Sequence, residues 1–328
     1  MKRILVVSVL MLLLAAFLPF ALVSAPAAGT NEPNEPQASP VSSWQPSRDG
    51  EKTLTVLTPD GNKEMTLHDY LIGVVAAEMP AKFETEALKA QAVAARTYAM
   101  HGIMKGSKHA DKNADVCTDS SCCQAYVSDA EMRKNWGDKY EANLAKITAA
   151  VEDTDGEYLV SGGEPILAAF HSSSGGPTES SADVWGSALP YLVSVSSPET
   201  EKDVPNFKTT MTAAPIDFRD TILSTHPEAD FTGDGSKWIG KTEKDGSGRV
   251  KDVTIGGVKV TGEELRTLFS LRSTEFDLTY NGSFTFSVTG SGHGVGMSQY
   301  GAEIMAKQGS GCADILSHYY PGTEIKKA

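Results

Sequence analysis

The sequence predicts an α+β fold of mixed helices and antiparallel β-hairpins, and three observations lead there. Apolar residues recur at helical spacing through residues 68–78, 84–102 and 140–154. Two stretches read as hairpins, "RVKDVTI-GG-VKV" over Gly256-Gly257 and "FDLTY-NG-SFTFSV" over Asn281-Gly282. No internal repeat is present, so helices and hairpins belong to one mixed domain.

The elements follow in order. Met1-Lys2-Arg3 precedes the apolar run Ile4–Ala25, and no charge occurs before Glu32. Positive residues ahead of such a run read as export. At about 1.5 Å per residue the run can cross a bilayer core of about 30 Å. Residues 1–25 are therefore read as an uncleaved membrane anchor, with a signal sequence cut after "VSA" as the alternative. Residues 26–50 are rich in Pro, Ser and Asn and read as a tether. The folded domain is assigned to residues 51–328, opening with the strand in "KTLTVLTPDG". Two helices follow, separated by Pro80. A polar stretch with three cysteines leads to a helix in "YEANLAKITAAVEDT", then to strands in "GEYLV" and "PILAAFHSSSGG". Residues 196–245 show little periodicity and are left unplaced. Thr261 and Glu264 form a capping box opening a helix. The glycine-rich "TGSGHGVGMSQYGAEIMAKQG" then leads into another helix.

The net charge of −13 over 328 residues argues against a nucleic-acid partner. The chemistry points instead to Glu78. Leu67, Leu71, Val74 and Val75 form the stripe of the first helix, and Glu78 is the next position on that face. Burial there disfavours the carboxylate, and so does the negative end of the helix dipole near Pro80. A carboxyl kept protonated near neutral pH is what a general acid requires. Arg96, on the next helix, either pairs with Glu78 and lowers its pKa or offers its planar fork to substrate oxygens.

"HSSSGG" places His171 and three serines before two glycines, without the G-x-S-x-G elbow of a serine hydrolase. "GHGVGMSQYG" lacks the spacing of a dinucleotide loop. Its glycines would expose backbone N–H groups at a helix start, with His293 and Gln299 as site candidates. Of four cysteines, Cys117, Cys122 and Cys123 are clustered and Cys312 is distant. Export favours disulfides, yet adjacent cysteines rarely pair and three leave one over unless Cys312 joins them. With His109 as fourth ligand the same residues make His-x7-Cys-x4-Cys-Cys, a closed structural zinc set; His101 is the substitute histidine. No H-E-x-x-H helix supports a zinc hydrolase.

"DYLIGVVAAEMPAKFETEALKAQAVAARTYAM", "AFHSSSGGPTESSADVWGSALPYLVSV" and "GHGVGMSQYGAEIMAKQGSGCADILSHYYPGTEI" together resemble the stage II sporulation protein D family of peptidoglycan lytic transglycosylases. The resemblance spans about residues 50–328, with the motifs in the family's order. It implies that Glu78, in the "AAEMP"-type motif, is the catalytic glutamate and that Arg96 is the family's arginine. It implies His171, Ser173 and Tyr191 in the sugar groove. It favours zinc on His109, Cys117, Cys122 and Cys123. The implied activity is cleavage of peptide-free glycan strands between N-acetylmuramic acid and N-acetylglucosamine, with 1,6-anhydro products. The implied setting is forespore engulfment, at the cell membrane and facing the septal space, beside a cell-wall amidase of the stage II sporulation protein P type. The alternative is a non-catalytic glycan-binding module that stimulates such an amidase.

Overall fold

The computed structural model describes residues 47–328. The N-terminal apolar run and most of the tether lie outside the described residues. No described helix is long and apolar enough to cross a membrane.

A hairpin of β1 (Thr53–Thr58) and β2 (Gly61–Thr66) runs directly into α1 (Leu67–Glu78). Thr66 caps that helix, accepting from the Asp69 N–H at 3.1 Å, a contact worth about 1 kcal/mol. Next comes α2 (Thr85–Lys105), which is buried on almost every face. Its alanines (Ala87, Ala90, Ala92, Ala94, Ala95 and Ala99 are all buried) let neighbouring elements approach closely. A short strand β3 (Val116–Cys117) pairs parallel with β1. Then follow α3 (Asp129–Trp136), α4 (Tyr140–Asp153), β4 (Glu157–Ser161), β5 (Glu164–Pro165), β6 (Phe170–His171) and α5 (Ser181–Trp185). These elements surround α2 and bury Leu71, Val74, Leu88, Val93, Ile147 and Val151 in one core.

The unplaced segment opens a second core. It contains β7 (Lys208–Ala213), α6 (Pro215–Leu223) and β8 (Ile239–Lys244). β9 (Val250–Ile255) and β10 (Val258–Thr261) form the first expected hairpin, followed by α7 (Gly262–Leu268) behind its capping box. β11 (Phe276–Tyr280) and β12 (Phe284–Thr289) form the second, and β7 completes that sheet along β12. Phe218 stacks on Phe284 at 3.8 Å between ring centres, with Phe269 and Phe286 around it. The chain then returns to the first core through β13 (Met297–Ser298), α8 (Gln299–Lys307), α9 (Cys312–Tyr319) and β14 (Glu324–Lys327), which pairs with β4. The α+β expectation holds, with two apolar clusters in place of a single core.

The domain begins before residue 51. Asp49 is 1 % exposed and pairs with the fully buried Arg96, Nη2 to Oδ2 at 2.6 Å. Ser47 and Arg48 bond Asp155 at 2.8 and 2.9 Å. Composition assigns these residues to the tether because none of them is apolar; what anchors them is charge.

Candidate active site

Glu78 is the last residue of α1. Its Oε1 accepts from the Ala125 N–H at 2.7 Å, and its Oε2 accepts from Gln299 Nε2 at 3.0 Å. Burial pushes the carboxyl above the usual carboxylate range, and the two donated hydrogen bonds only partly oppose it. Gly73 explains how Ala125 gets there. A Cβ at Gly73 would lie 2.2 Å from the Tyr126 ring, so only glycine lets that loop lie against α1. The Val127 N–H then bonds the Gly73 carbonyl at 3.2 Å.

Glu78 stands where two cavities meet. One, of ≈ 500 Å³, is lined by Glu78, Phe170, His171, Trp185, Arg266 and His293 among others. The other, of ≈ 360 Å³, takes Glu78, Phe83, Trp136, Ser172, Gln299 and Tyr300. Among the residues lining both, Glu78 is the one acid. Beyond His293 and Trp185 a third cavity of ≈ 600 Å³ continues between the cysteine loop and α7. The result is an elongated groove with a carboxyl of raised pKa part-way along it.

A parallel pairing joins the other two motifs. β6 and β13 align Phe170 with Met297 and His171 with Ser298. Gly292, Gly294 and Gly296 all adopt positive φ, and a Cβ at Gly296 would lie 2.0 Å from the Ala169 carbonyl oxygen. The glycines permit this close seam, which carries His293 and Gln299 to the groove. His171 Nδ1 lies 3.3 Å from the Val295 carbonyl, which can only accept, so Nδ1 carries the proton. Burial drives the His171 pKa well down, so Nε2 is a bare acceptor; it has no protein partner among the described residues. His293 Nδ1 accepts from the Val295 N–H at 3.1 Å, and burial lowers its ring pKa to about 4.

His109, Cys117, Cys122 and Cys123 bring their ligand atoms within 4.8 Å of one another. His109 Nε2 is 3.5 Å from Cys122 Sγ and 3.6 Å from Cys123 Sγ. Tetrahedral zinc, with bonds of about 2.3 Å to sulfur and 2.0–2.1 Å to nitrogen, would separate N and S by about 3.5 Å. His101 instead turns Nδ1 to the Pro165 carbonyl at 2.9 Å, and Cys312 lies outside the cluster.

A family model described as "Stage II sporulation protein" matches residues 60–160, from β2 to β4. Over 268 residues the chain is 41 % identical to Stage II sporulation protein D of Bacillus subtilis, covering 81 % of this chain and 76 % of that protein. The chain belongs to the stage II sporulation protein D family. It is 39 % identical over 267 residues to the protein of the same name from Bacillus amyloliquefaciens, again 81 % and 76 % of the two chains. It is also 30 % identical over 307 residues to the Amidase enhancer of Bacillus subtilis, covering 78 % of this chain and 40 % of that one.

Within this family framework some expected site residues move. Glu78, His171, His293 and Gln299 converge on the groove. Arg96 does not: its guanidinium is 0 % exposed and bonds Asp49, Val151 O and Glu157 O, so it neither pairs with Glu78 nor meets a ligand. Ser173 is fully buried, and its neighbour Ser172 lines the cavity instead. Tyr191 is 8 % exposed and its hydroxyl accepts from the Leu167 N–H at 3.2 Å, which makes it a buried strut. Several of the glycine loop's amides are taken up by the fold itself. The Gly292, Met297 and Tyr300 N–H groups bond Arg272, Ala169 and Ser172 carbonyls at 2.8, 3.1 and 3.0 Å.

The reading missed Trp136, Trp185, Arg266 and Tyr300. Trp136 ends α3, whose Ser128–Glu131 capping box stood in the sequence as "SDAE". Trp185 lay inside a quoted motif without being singled out. Arg266 carries no local signal, since the second core alone brings it to the groove.

Proposed function

We propose that this chain is a membrane-anchored cell-wall enzyme of sporulation, a lytic transglycosylase that cleaves peptide-free glycan strands. The observation that carries the reading is Glu78: one carboxyl, its pKa raised by burial, in a groove where the two cavities it joins contain no second carboxyl. Hydrolytic glycosidases commonly use two carboxyls about 5–9.5 Å apart. A transglycosylase manages with one. Glu78 protonates the glycosidic oxygen leaving N-acetylmuramic acid, and its carboxylate then takes the proton of that sugar's own 6-hydroxyl as the 1,6-anhydro ring closes. No water is consumed. The N–H donors of Ala125 and Gln299 hold the carboxyl in place and stabilise it once ionised. His171 lines the same cavity beside Glu78.

His109, Cys117, Cys122 and Cys123 would hold a structural zinc, whose contribution is to fix their loop. That loop continues through Gln124 to the Ala125 amide, so the cluster bears on the geometry of Glu78 without entering the chemistry. The N-terminal run would tether the domain outside the cytoplasm, and a cell-wall amidase of the stage II sporulation protein P type would act beside it. The relative named Amidase enhancer supports a second reading, a glycan-binding module that stimulates an amidase. Incubating purified glycan strands with the protein and no amidase separates the two. Strand shortening by the native chain and none by Glu78→Gln supports the enzyme; intact but bound strands with both support the module.

A further inference from the structure

The groove continues past the catalytic carboxyl, and its far end has a distinct composition. Trp185 is 41 % exposed, while the other large aromatic side chains among the described residues are mostly covered. Its indole lies 5.7 Å from the His293 ring, tilted 52°. Arg266 from α7 lines the same cavity, with Ser120, Ser121, Glu263, Thr267 and Ser270. Trp185, Arg266 and His293 line the cavity of Glu78 and the outer cavity alike.

Two cations, Lys108 and Arg266, line the Glu78 cavity, and of these Arg266 also lines the outer one. Lys108, which lines the Glu78 cavity too, gives its ammonium to the Cys122 carbonyl at 2.9 Å and lies 3.4 Å from the Tyr98 hydroxyl. Arg266 has a single contact, Nη1 to Glu263 at 3.4 Å on its own helix, and its side chain is 28 % exposed. Such a partly solvated pair is weak. Its remaining N–H groups have no protein partner among the described residues. The guanidinium charge reaches inward, since it contributes to lowering the pKa of His293 and of His171. A guanidinium with N–H groups left over beside its contact to Glu263, an exposed indole, and serines and threonines along the cavity suit a sugar bearing a carboxylate that displaces Glu263.

We propose that Trp185 and Arg266 form a subsite for a carboxylate-bearing saccharide unit, the indole covering the ring and the guanidinium pairing with the carboxylate. This deepens the reading of the groove as a glycan site and rests on it. A muramic-acid unit stripped of its peptide carries a free lactyl carboxylate; one still bearing a peptide has an amide there. The chain itself is acidic at −13, so a local cation is what would admit an anionic strand to this face.

The test uses the full chain in detergent carrying Glu78→Gln, so that strands bind without turnover. Calorimetry compares three probes: a peptide-free glycan oligomer, the same oligomer with its carboxylates capped as methylamides, and a neutral N-acetylglucosamine oligomer of equal length. The uncapped oligomer should bind at least tenfold tighter than the capped one, as expected for a charge-assisted pair, and the preference should shrink with added salt. Arg266→Gln should abolish the preference while Arg266→Lys retains part of it, with thermal unfolding confirming that both variants fold. Trp185→Ala should weaken the capped and uncapped oligomers alike. Equal binding of capped and uncapped oligomers, or an undiminished preference in Arg266→Gln, overturns the subsite and leaves the glycan reading standing. Failure to bind any of the three overturns both.

Discussion

Asp49→Ala removes the counter-charge of Arg96. The guanidinium then loses three hydrogen bonds, Nε to Oδ1 and Oδ2 at 3.0 and 2.9 Å and Nη2 to Oδ2 at 2.6 Å. The Val151 and Glu157 carbonyls, at 3.3 and 3.0 Å, remain but carry no charge. Since Arg96 is 0 % exposed, water cannot substitute. Removing one partner of such a pair costs about 3–5 kcal/mol. At about 2–4 °C per kcal/mol for domains of this size, the midpoint should fall by about 10 °C. Urea and thermal unfolding measure it. Starting the chain at residue 51 should cost as much, and Asp49→Leu with Arg96→Met should recover most of the loss by removing both charges. At temperatures well below unfolding, glycan cleavage should be unchanged in Asp49→Ala. A loss under about 1 kcal/mol, or a folded variant with a raised KM, would refute a purely structural Arg96 and return it to the groove.

Three further predictions follow from the site. Glu78 keeps in the folded state a proton that the unfolded chain releases near pH 4.3, so stability falls as pH rises from about that value through the raised folded pKa. Glu78→Gln should flatten that slope and be at least as stable as the native chain at pH 8 in urea titrations; an identical slope would mean the carboxyl is not buried in solution. Gln299→Leu deletes a donor that lowers the Glu78 pKa, so the alkaline limb of the rate profile should move to higher pH, and movement to lower pH would contradict the geometry. Cys122→Ser should release zinc, read by metal analysis, and lower the midpoint, while Cys312→Ser should leave zinc content unchanged.

Much of this was legible in the sequence, for identifiable reasons. The stripe Leu67–Leu71–Val74–Val75 announced α1 and singled out Glu78 because an acid interrupted it. Hairpins and the Thr261–Glu264 box were written in local turn and cap chemistry. What stayed hidden depends on distant partners. β7 is recognisable as a strand only through its pairing with β12. Asp49 looks like tether until Arg96 stands beside it. Ser173 and Tyr191 have the right chemistry for a groove but face the interior, and spacing alone does not tell which face of an irregular segment turns inward. Arg266 reaches the groove from a helix nearly two hundred residues downstream of Glu78, so no motif could include it.

In the proposed reaction Glu78 acts first as acid and then as base, and the products distinguish this from hydrolysis. Peptide-free glycan strands incubated with the full chain, and separately with Glu78→Gln, would be analysed by mass spectrometry. 1,6-Anhydro-muramic ends are expected from the native chain and none from the variant. Reducing ends bearing one added water would contradict this and require a second catalytic group, which would not be a carboxyl from the two cavities around Glu78.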